Sequence, residues 1–393
     1  MASDNVESVA LIWAQFAAYH MDRCEAVARR LDQRQRVRAI EVATTSEAYA
    51  WEPSGPLAAA EKITLFPGRS FDEVPRFARF RAMLKATWRC RTVCIGVSYA
   101  EPDIIALAWL LRLCGKRLVV FSESKFDDMP RFIGRELLKA ALLSCYHAAV
   151  VGGARHLAYF RFLGFRRRPV LPGYDTVGCE RIAGEAASTQ AVAPFEERPF
   201  VFVGRFVEKK NLFRLLEGYR EYRSLAGTTA RRLVLVGSGP LEPALRVHIE
   251  HLGIGDGVEL PGFLQAAAVA RQLAGALALV LVSVEEQWGL VINEALAMGL
   301  PVIASTPVGA CDALVRNMVN GFVVPESSAE SIGRAMHALA ADPLEWERMA
   351  AASRARAWLA DSERLADAVE LLLYPGAEPA RTRCAVMRKA LEQ

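Results

Sequence analysis

The stretch EEQWGLVINEALAMGLPVIAS, residues 285–305, places two carboxylates, Glu286 and Glu294, around a Trp288-Gly289 pair with apolar runs on both sides. Upstream, LALVLVS (277–283) has the length and β-branched content of a buried strand. Downstream, LVINEALAM carries apolar residues at helical spacing among good helix formers. The order predicted is strand, short loop, helix, with Gly289 at the turn. Glu286 then lies in the loop and Glu294 about one turn into the helix. Open amides near Leu290 and Val291, at the positive end of the helix dipole, suit an anion such as phosphate.

Outward from this junction the pattern repeats. PFVFVGR, RRLVLVG and GLPVIAS read as further strands, each followed by helical sequence. The first half alternates in the same way, with SVALIW (8–13), RTVCIGVSY (91–99), KRLVVFSES (116–124) and YHAAVVGG (146–153) as strands. Alternation of this kind predicts an α/β fold of βαβ units with parallel sheets. At 393 residues the chain exceeds the usual limit of one core, so two domains are expected. Residues 179–198, CERIAGEAASTQAVAPFEER, lose periodicity and read as the linker. The domains are expected at 1–190 and 191–375, with a helical tail at 376–393 that returns to the first.

Composition narrows the class. Hydrophobic residues make up 52% and charged residues 23%, a globular profile. No run approaches the ~18 uninterrupted apolar residues of a membrane span, and the acidic start MASDNVES differs from a signal peptide. The eight cysteines lack paired C-x-x-C spacing and mostly fall in apolar segments. This pattern predicts reduced core thiols, not a disulfide framework or zinc site, and a cytoplasmic location. Residues 1–190 hold 27 Lys and Arg against 20 Asp and Glu, and the remainder holds 21 against 24. The basic first half suits an anionic partner, such as a phospholipid surface at the inner face of the membrane or an anionic lipid-linked acceptor, and equally suits a solvated basic face.

Two further elements carry chemistry. FVGRFVEKKNL (202–212) ends a strand with Gly204-Arg205 and sets Lys210 five residues on. A guanidinium fork and an ammonium beyond a strand's carboxyl end can bind a diphosphate, although surface cations near a helix start are also ordinary. LVLVGSGPLEPAL (233–245) places Gly237 and Gly239 directly after a strand. It evokes a dinucleotide fingerprint, with Glu259 at the spacing of a ribose-binding acid. However, Glu242 stands where the third glycine belongs, and a tight strand-to-helix turn fits better.

Taken in order, GR-x4-K, the strand followed by GSGP, V-x-L-x-G (Val258–Gly262), E-x-W-G-L-V-x-x-E-A, G-x-PVIAS and NGFVVP (320–325) resemble glycosyltransferase family 4. These are retaining enzymes of the GT-B architecture, in which two Rossmann-like doubly wound domains face each other across a cleft. The resemblance covers residues 199–325 and extends toward 373. It implies that Arg205 and Lys210 bind the donor diphosphate, Glu294 the nucleotide ribose, and Glu286 the transferred sugar. Gly204, Gly237, Gly239, Phe263, Trp288, Gly289, Leu290 and Val291 join them as expected donor contacts. Departures from the family pattern are Gln287-Trp288 in place of a common Gly-Phe, Ala310 in place of a frequent Gly, and Ala313 where an acid is usual, with Asp312 adjacent.

The first half is less informative. The loop after its first strand, AQFAAYHMDR (14–23), has no glycine, and Tyr19 and His20 are candidate acceptor or donor contacts, His20 also as a catalytic group. A lone histidine has a structural reading too. SESKFDD (122–128) offers Asp127-Asp128 without a metal-site context, and Arg166–Arg168 suit a phosphate or a solvated charge run. PRFARFRAMLKATWRCR (75–91) mixes aromatics with Arg in a way that suits a membrane surface. Its composition also fits single-stranded nucleic acid, but no RNA-binding motif supports that.

The reading is a glycosyltransferase moving sugar from a UDP- or GDP-sugar to a glycan, lipid-linked or small-molecule acceptor, without a metal and without nucleic acid. Polysaccharide or glycoconjugate synthesis is the expected setting. A GT-B sugar-nucleotide epimerase, an inactive nucleotide-sugar-binding protein and a nicotinamide oxidoreductase are its rivals.

Overall fold

The computed structural model describes residues 7–46, 51–187 and 193–392. Two compact units emerge, one of Met1–Phe126, Pro130–Val177 and Ser362–Gln393, the other of Asp127–Met129 and Gly178–Asp361.

The first unit is built on seven strands: β1 (Ser8–Trp13), β2 (Arg36–Thr45), β3 (Glu61–Ser70), β4 (Thr92–Ile95), β5 (Arg117–Ser122), β6 (Ala148–Val151) and β7 (Val170–Pro172). They form one parallel sheet in the order β3-β2-β1-β4-β5-β6-β7. The strand pleat sends alternate side chains to opposite faces. Ala10, Ile12, Val93, Ile95, Leu118 and Val120 therefore pack in one core with Ile104, Leu107 and Leu111 of the helix Pro102–Leu113. Val9, Leu11, Cys94 and Val119 pack in the other with Val27 and Leu31 of the helix Ala18–Leu31. Both faces are covered, which is why these strands read as continuous apolar runs.

The second unit has six parallel strands: β8 (Phe200–Val203), β9 (Leu233–Val236), β10 (Val258–Gly262), β11 (Ala278–Leu281), β12 (Val302–Ser305) and β13 (Gly321–Val324). Their order is β10-β9-β8-β11-β12-β13. In both sheets the winding direction reverses once, between β1 and β4 in the first and between β8 and β11 in the second. In such sheets the crevice beyond the carboxyl ends of the two strands at the reversal is where ligands bind.

The chain changes units at Val177–Gly178 and again at Asp361–Ser362, not near residue 190 or 375. Within the expected linker, Cys179–Ala187 form a helix and Phe195–Glu197 a 3-10 turn, and residues 188–192 lie outside the described set. The helix Glu363–Leu373 belongs to the first unit because Leu365, Val369 and Leu372 complete that unit's core. Arg30 pairs with its Glu363 and Asp367, and Arg34 donates to Glu370 at 2.7 Å. The last helix, Glu378–Glu392, joins through Arg383, 2.6 Å from Asp367. All eight cysteines are free thiols, and burial raises those of Cys24 and Cys94, the latter to about 12.

Candidate functional site

The site candidates of the second unit gather at its topological switch. After β8 the chain turns through a short 3-10 segment, Glu208–Lys210, into the helix Leu212–Ala226. Arg205 is exposed at the strand's end, and Lys210 returns so that its stem lies beside Gly204, where an added Cβ would sit 3.5 Å from Cε. Asn211 makes this return possible. It adopts a left-handed conformation (φ 58°), which asparagine tolerates better than most residues. Its side-chain amide donates to the carbonyls of Val282 at 3.0 Å and Glu326 at 2.8 Å. One side chain thus ties the cation-bearing turn to the ends of β11 and β13. A single Asn in a polar stretch gave no sequence signal of this task.

After β11 the loop is fixed from both sides. The Val284 amide donates to the Lys209 carbonyl at 2.9 Å, and the Gly309 amide donates to the Glu286 carbonyl at 3.1 Å. Glu286 forms an ion pair with Lys210 and accepts a 3.4 Å hydrogen bond from the Ser283 hydroxyl. The carboxylate expected at the sugar and the ammonium expected at the diphosphate therefore touch, each side chain about one-seventh exposed. Gly289 takes the positive φ (98°) that the turn needs. The helix that follows, Val291–Ala297, holds half-buried Glu294. It is barely two turns long, and the Ile292 amide is already satisfied by the Gly289 carbonyl at 2.9 Å. So short a helix contributes little dipole, and its start alone is a weak attractor for an anion.

Trp288, expected beside the donor sugar, is turned into the core instead. Its ring is 4% exposed and its Nε1 donates to Asn293 Oδ1 at 2.8 Å, while Asn293 donates to the Ala360 carbonyl at 3.2 Å. The sequence spacing could not show which way the indole points. Ala313 is buried and Asp312 exposed on the short helix Cys311–Leu314, so the aspartate does not occupy its neighbour's direction. Phe263, directly after β10, is 45% exposed.

Gly237 and Gly239 are explained by close packing. The Phe206 amide donates to the Ser238 carbonyl at 2.8 Å and the Gly237 amide to the Gly262 carbonyl at 2.9 Å, lacing the ends of β8, β9 and β10 together. A Cβ on Gly237 would lie 1.9 Å from the Gly204 carbonyl oxygen, at a φ of 141°. Gly237→Ala is therefore expected to destabilise the chain by about 2 kcal/mol, read as a lower urea midpoint, through strain and crowding combined. Glu259 pairs with Arg232 on the strand edge, which leaves the nicotinamide reading without its ribose acid.

At the switch of the first unit, His20 is 7% exposed and accepts a 3.0 Å hydrogen bond at Nδ1 from the Ala17 amide, capping the helix Ala18–Leu31. His156 does the same for Gly153 at 3.1 Å on another helix start. Burial first, then the nearby Arg23 charge, holds His20 well below the usual histidine range, hence neutral. Capping accounts for His20 without chemistry. Tyr19 is half-buried, its ring 4.7 Å from the Arg23 guanidinium and 5.8 Å from Trp51. Among the described residues no cluster of His, Cys, Asp and Glu could hold a metal, and no helix is long and apolar enough to cross a membrane.

Comparison with known proteins meets this geometry in the second unit. Residues 186–357 match the family model described as glycosyl transferases group 1. Over 152 residues the chain is 32% identical to the putative colanic acid biosynthesis glycosyltransferase WcaL of Escherichia coli (strain K12), covering 37% of each chain. The chain thus spans little more than a third of that curated relative. Its fold is similar to sucrose-phosphate synthase from Thermosynechococcus elongatus (TM-score 0.65, 20% identity, 93% of this chain and 98% of that one). It is also similar to Anabaena HepE in complex with UDP (TM-score 0.69, 14% identity, 93% and 99%). The fold is GT-B, and residues 186–357 match the model of glycosyl transferases group 1.

Proposed function

We infer that the chain transfers a sugar from a nucleoside diphosphate sugar to a hydroxyl acceptor, with retention at the anomeric carbon. The observation that carries this is the set at the second sheet's reversal. Arg205 and Lys210 follow β8 and Glu286 and Glu294 follow β11, a charge arrangement suited to a diphosphate with a sugar on each side. Arg205 and Lys210 hold the diphosphate and take up charge as it leaves, which makes a metal ion unnecessary. Glu294 accepts from the ribose hydroxyls and Glu286 from the sugar. The bond from the anomeric carbon to the diphosphate oxygen breaks, and the acceptor oxygen bonds to that carbon on the same face. The hydroxyl proton passes to the departing oxygen.

The second unit is the donor-binding domain in this reading, and the first unit, whose switch exposes part of Tyr19, binds the acceptor. The likeness to WcaL favours a glycan or lipid-linked acceptor in polysaccharide synthesis. HepE is solved with UDP, so UDP is the first nucleotide to test against GDP and ADP. At about tenfold its dissociation constant, the matching nucleotide is expected to stabilise the fold by roughly 1.4 kcal/mol, read as a rise in Tm. Equal shifts with all three, or none, would contradict a built nucleotide site. Incubating the donor with and without acceptor then separates transfer from epimerisation, which needs no acceptor, and from binding without turnover.

A further inference from the structure

The helix Ile133–Leu142 is inside out. Its one fully buried side chain is a carboxylate, Glu136, while Ile133 (68%), Leu137 (64%) and Leu138 (59%) face solvent, with Phe132 (62%) just before them. The inversion is held by polar bonds. Glu136 accepts from the Tyr159 hydroxyl at 2.5 Å and pairs with Lys139 at 3.2 Å and Arg131 at 3.4 Å. Burial opposes its charge, but these three donors prevail and hold the carboxyl below the usual range. Turning the leucines inward would strand that carboxylate, so the exposed apolar face is built into the fold.

The face continues beyond the helix. Phe126 packs edge-on against Tyr159 (6.1 Å) and Phe162 (5.7 Å), and both Phe126 and Phe162 are about half exposed. The segment that carries it is rich in cations. Residues 131–168 contain eight Lys and Arg and a single acid, the buried Glu136. Arg135, Arg161, Arg166 and Arg167 are exposed, and the Arg135 guanidinium lies 5.4 Å from the Phe132 ring centre.

We propose that this face of the first unit docks on an anionic lipid bilayer. Phe132, Ile133, Leu137 and Leu138 enter the boundary between headgroups and acyl chains, and the surrounding arginines lie at the level of the lipid phosphates. An apolar ridge whose neighbourhood is dominated by cations, with Asp127 the exposed acid beside Phe126, is complementary to that surface. A second copy of the chain is a poorer occupant, because a two-fold contact would set arginine against arginine. The element expected to serve this role, residues 75–91, is a poorer candidate. Its Arg79 is buried in ion pairs with Glu101 and Asp103, both at 3.0 Å, and Met83 packs in the core. The docking stands apart from the reading as a glycosyltransferase and holds for an inactive chain as well.

The test is titration of the full chain with vesicles of phosphatidylcholine alone and with phosphatidylglycerol added, at low and high salt. Binding is expected only with the anionic lipid and is weakened by salt. Arg161→Gln, Arg166→Gln and Arg167→Gln should each cost about fivefold in affinity, on the order of 100-fold together. Leu137→Glu with Leu138→Glu should abolish binding while leaving Tm unchanged, since both side chains are exposed. Absent binding, binding indifferent to lipid charge, or binding that survives both sets of substitutions would overturn the proposal. Self-association lost with the leucines, without vesicle binding, would give the face to a second copy instead. Should a variant fail to fold, the wild-type titration against the two lipids decides alone.

Discussion

Replacing Arg205 or Lys210 with alanine is expected to raise the barrier to sugar transfer by roughly 2–4 kcal/mol, a loss of about 30- to 1,000-fold in kcat. Both cations are assigned to the leaving diphosphate, where charge develops as the sugar departs, and an interaction that strengthens along the reaction acts on kcat more than on KM. The two variants should differ in one respect. Arg205 is exposed at the end of β8. Lys210 is paired with Glu286, so Lys210→Ala also frees that carboxylate. Combining Lys210→Ala with Glu286→Gln should therefore cost less than the two separate losses added, whereas Arg205→Ala with Glu286→Gln should be closer to additive. Arg205→Ala should move Tm little because the side chain is exposed, whereas Lys210→Ala breaks a mostly buried ion pair and should lower Tm. Near-normal kcat in either single variant would remove that residue from the leaving group.

The strands that could be read from the sequence are those buried on both faces. SVALIW became β1, and the runs before Gly237 and Ser283 became β9 and β11, because a strand covered by helices on two sides has nothing but apolar residues to show. β2 and β3 escaped for the opposite reason. RVRAIEVATT carries Arg36, Arg38 and Glu41, and EKITLFPGRS lies at the sheet edge with no fully buried residue. Glu41 is completely buried, satisfied by the Phe16 amide at 2.9 Å and the Thr64 hydroxyl at 2.9 Å, partners distant in sequence. The positions of Arg205, Lys210, Glu286 and Glu294 were legible since each follows a recognisable strand, and loops at strand ends must converge at the sheet's reversal. Side-chain direction was not. Nothing in the spacing could show that Trp288 turns inward, that Lys210 and Glu286 pair, or that Asn211 carries the turn between them.

Glu294 and Glu286 are expected to fail in different ways when each is changed to Gln. Glu294→Gln keeps the side-chain shape but loses the charge that strengthens bonds from the ribose hydroxyls, each worth roughly 1.5–3 kcal/mol to a charged acceptor. The free nucleoside diphosphate and the intact donor both contain that ribose, so both should bind about 10- to 100-fold more weakly. Glu286→Gln removes a group assigned to the sugar, so intact donor affinity and kcat should fall. The free diphosphate should not suffer, and the ion pair sharpens this expectation. In the unaltered chain Glu286 neutralises the ammonium that the diphosphate needs. Removing its charge leaves Lys210 more available, and diphosphate affinity should hold or rise. Calorimetric titration of both variants with the diphosphate and with the donor gives the four affinities required. Weaker diphosphate binding in Glu286→Gln would show that the carboxylate serves mainly to position Lys210. Equal losses for both ligands in both variants would make the two glutamates a single structural element, and the division between ribose and sugar would be wrong.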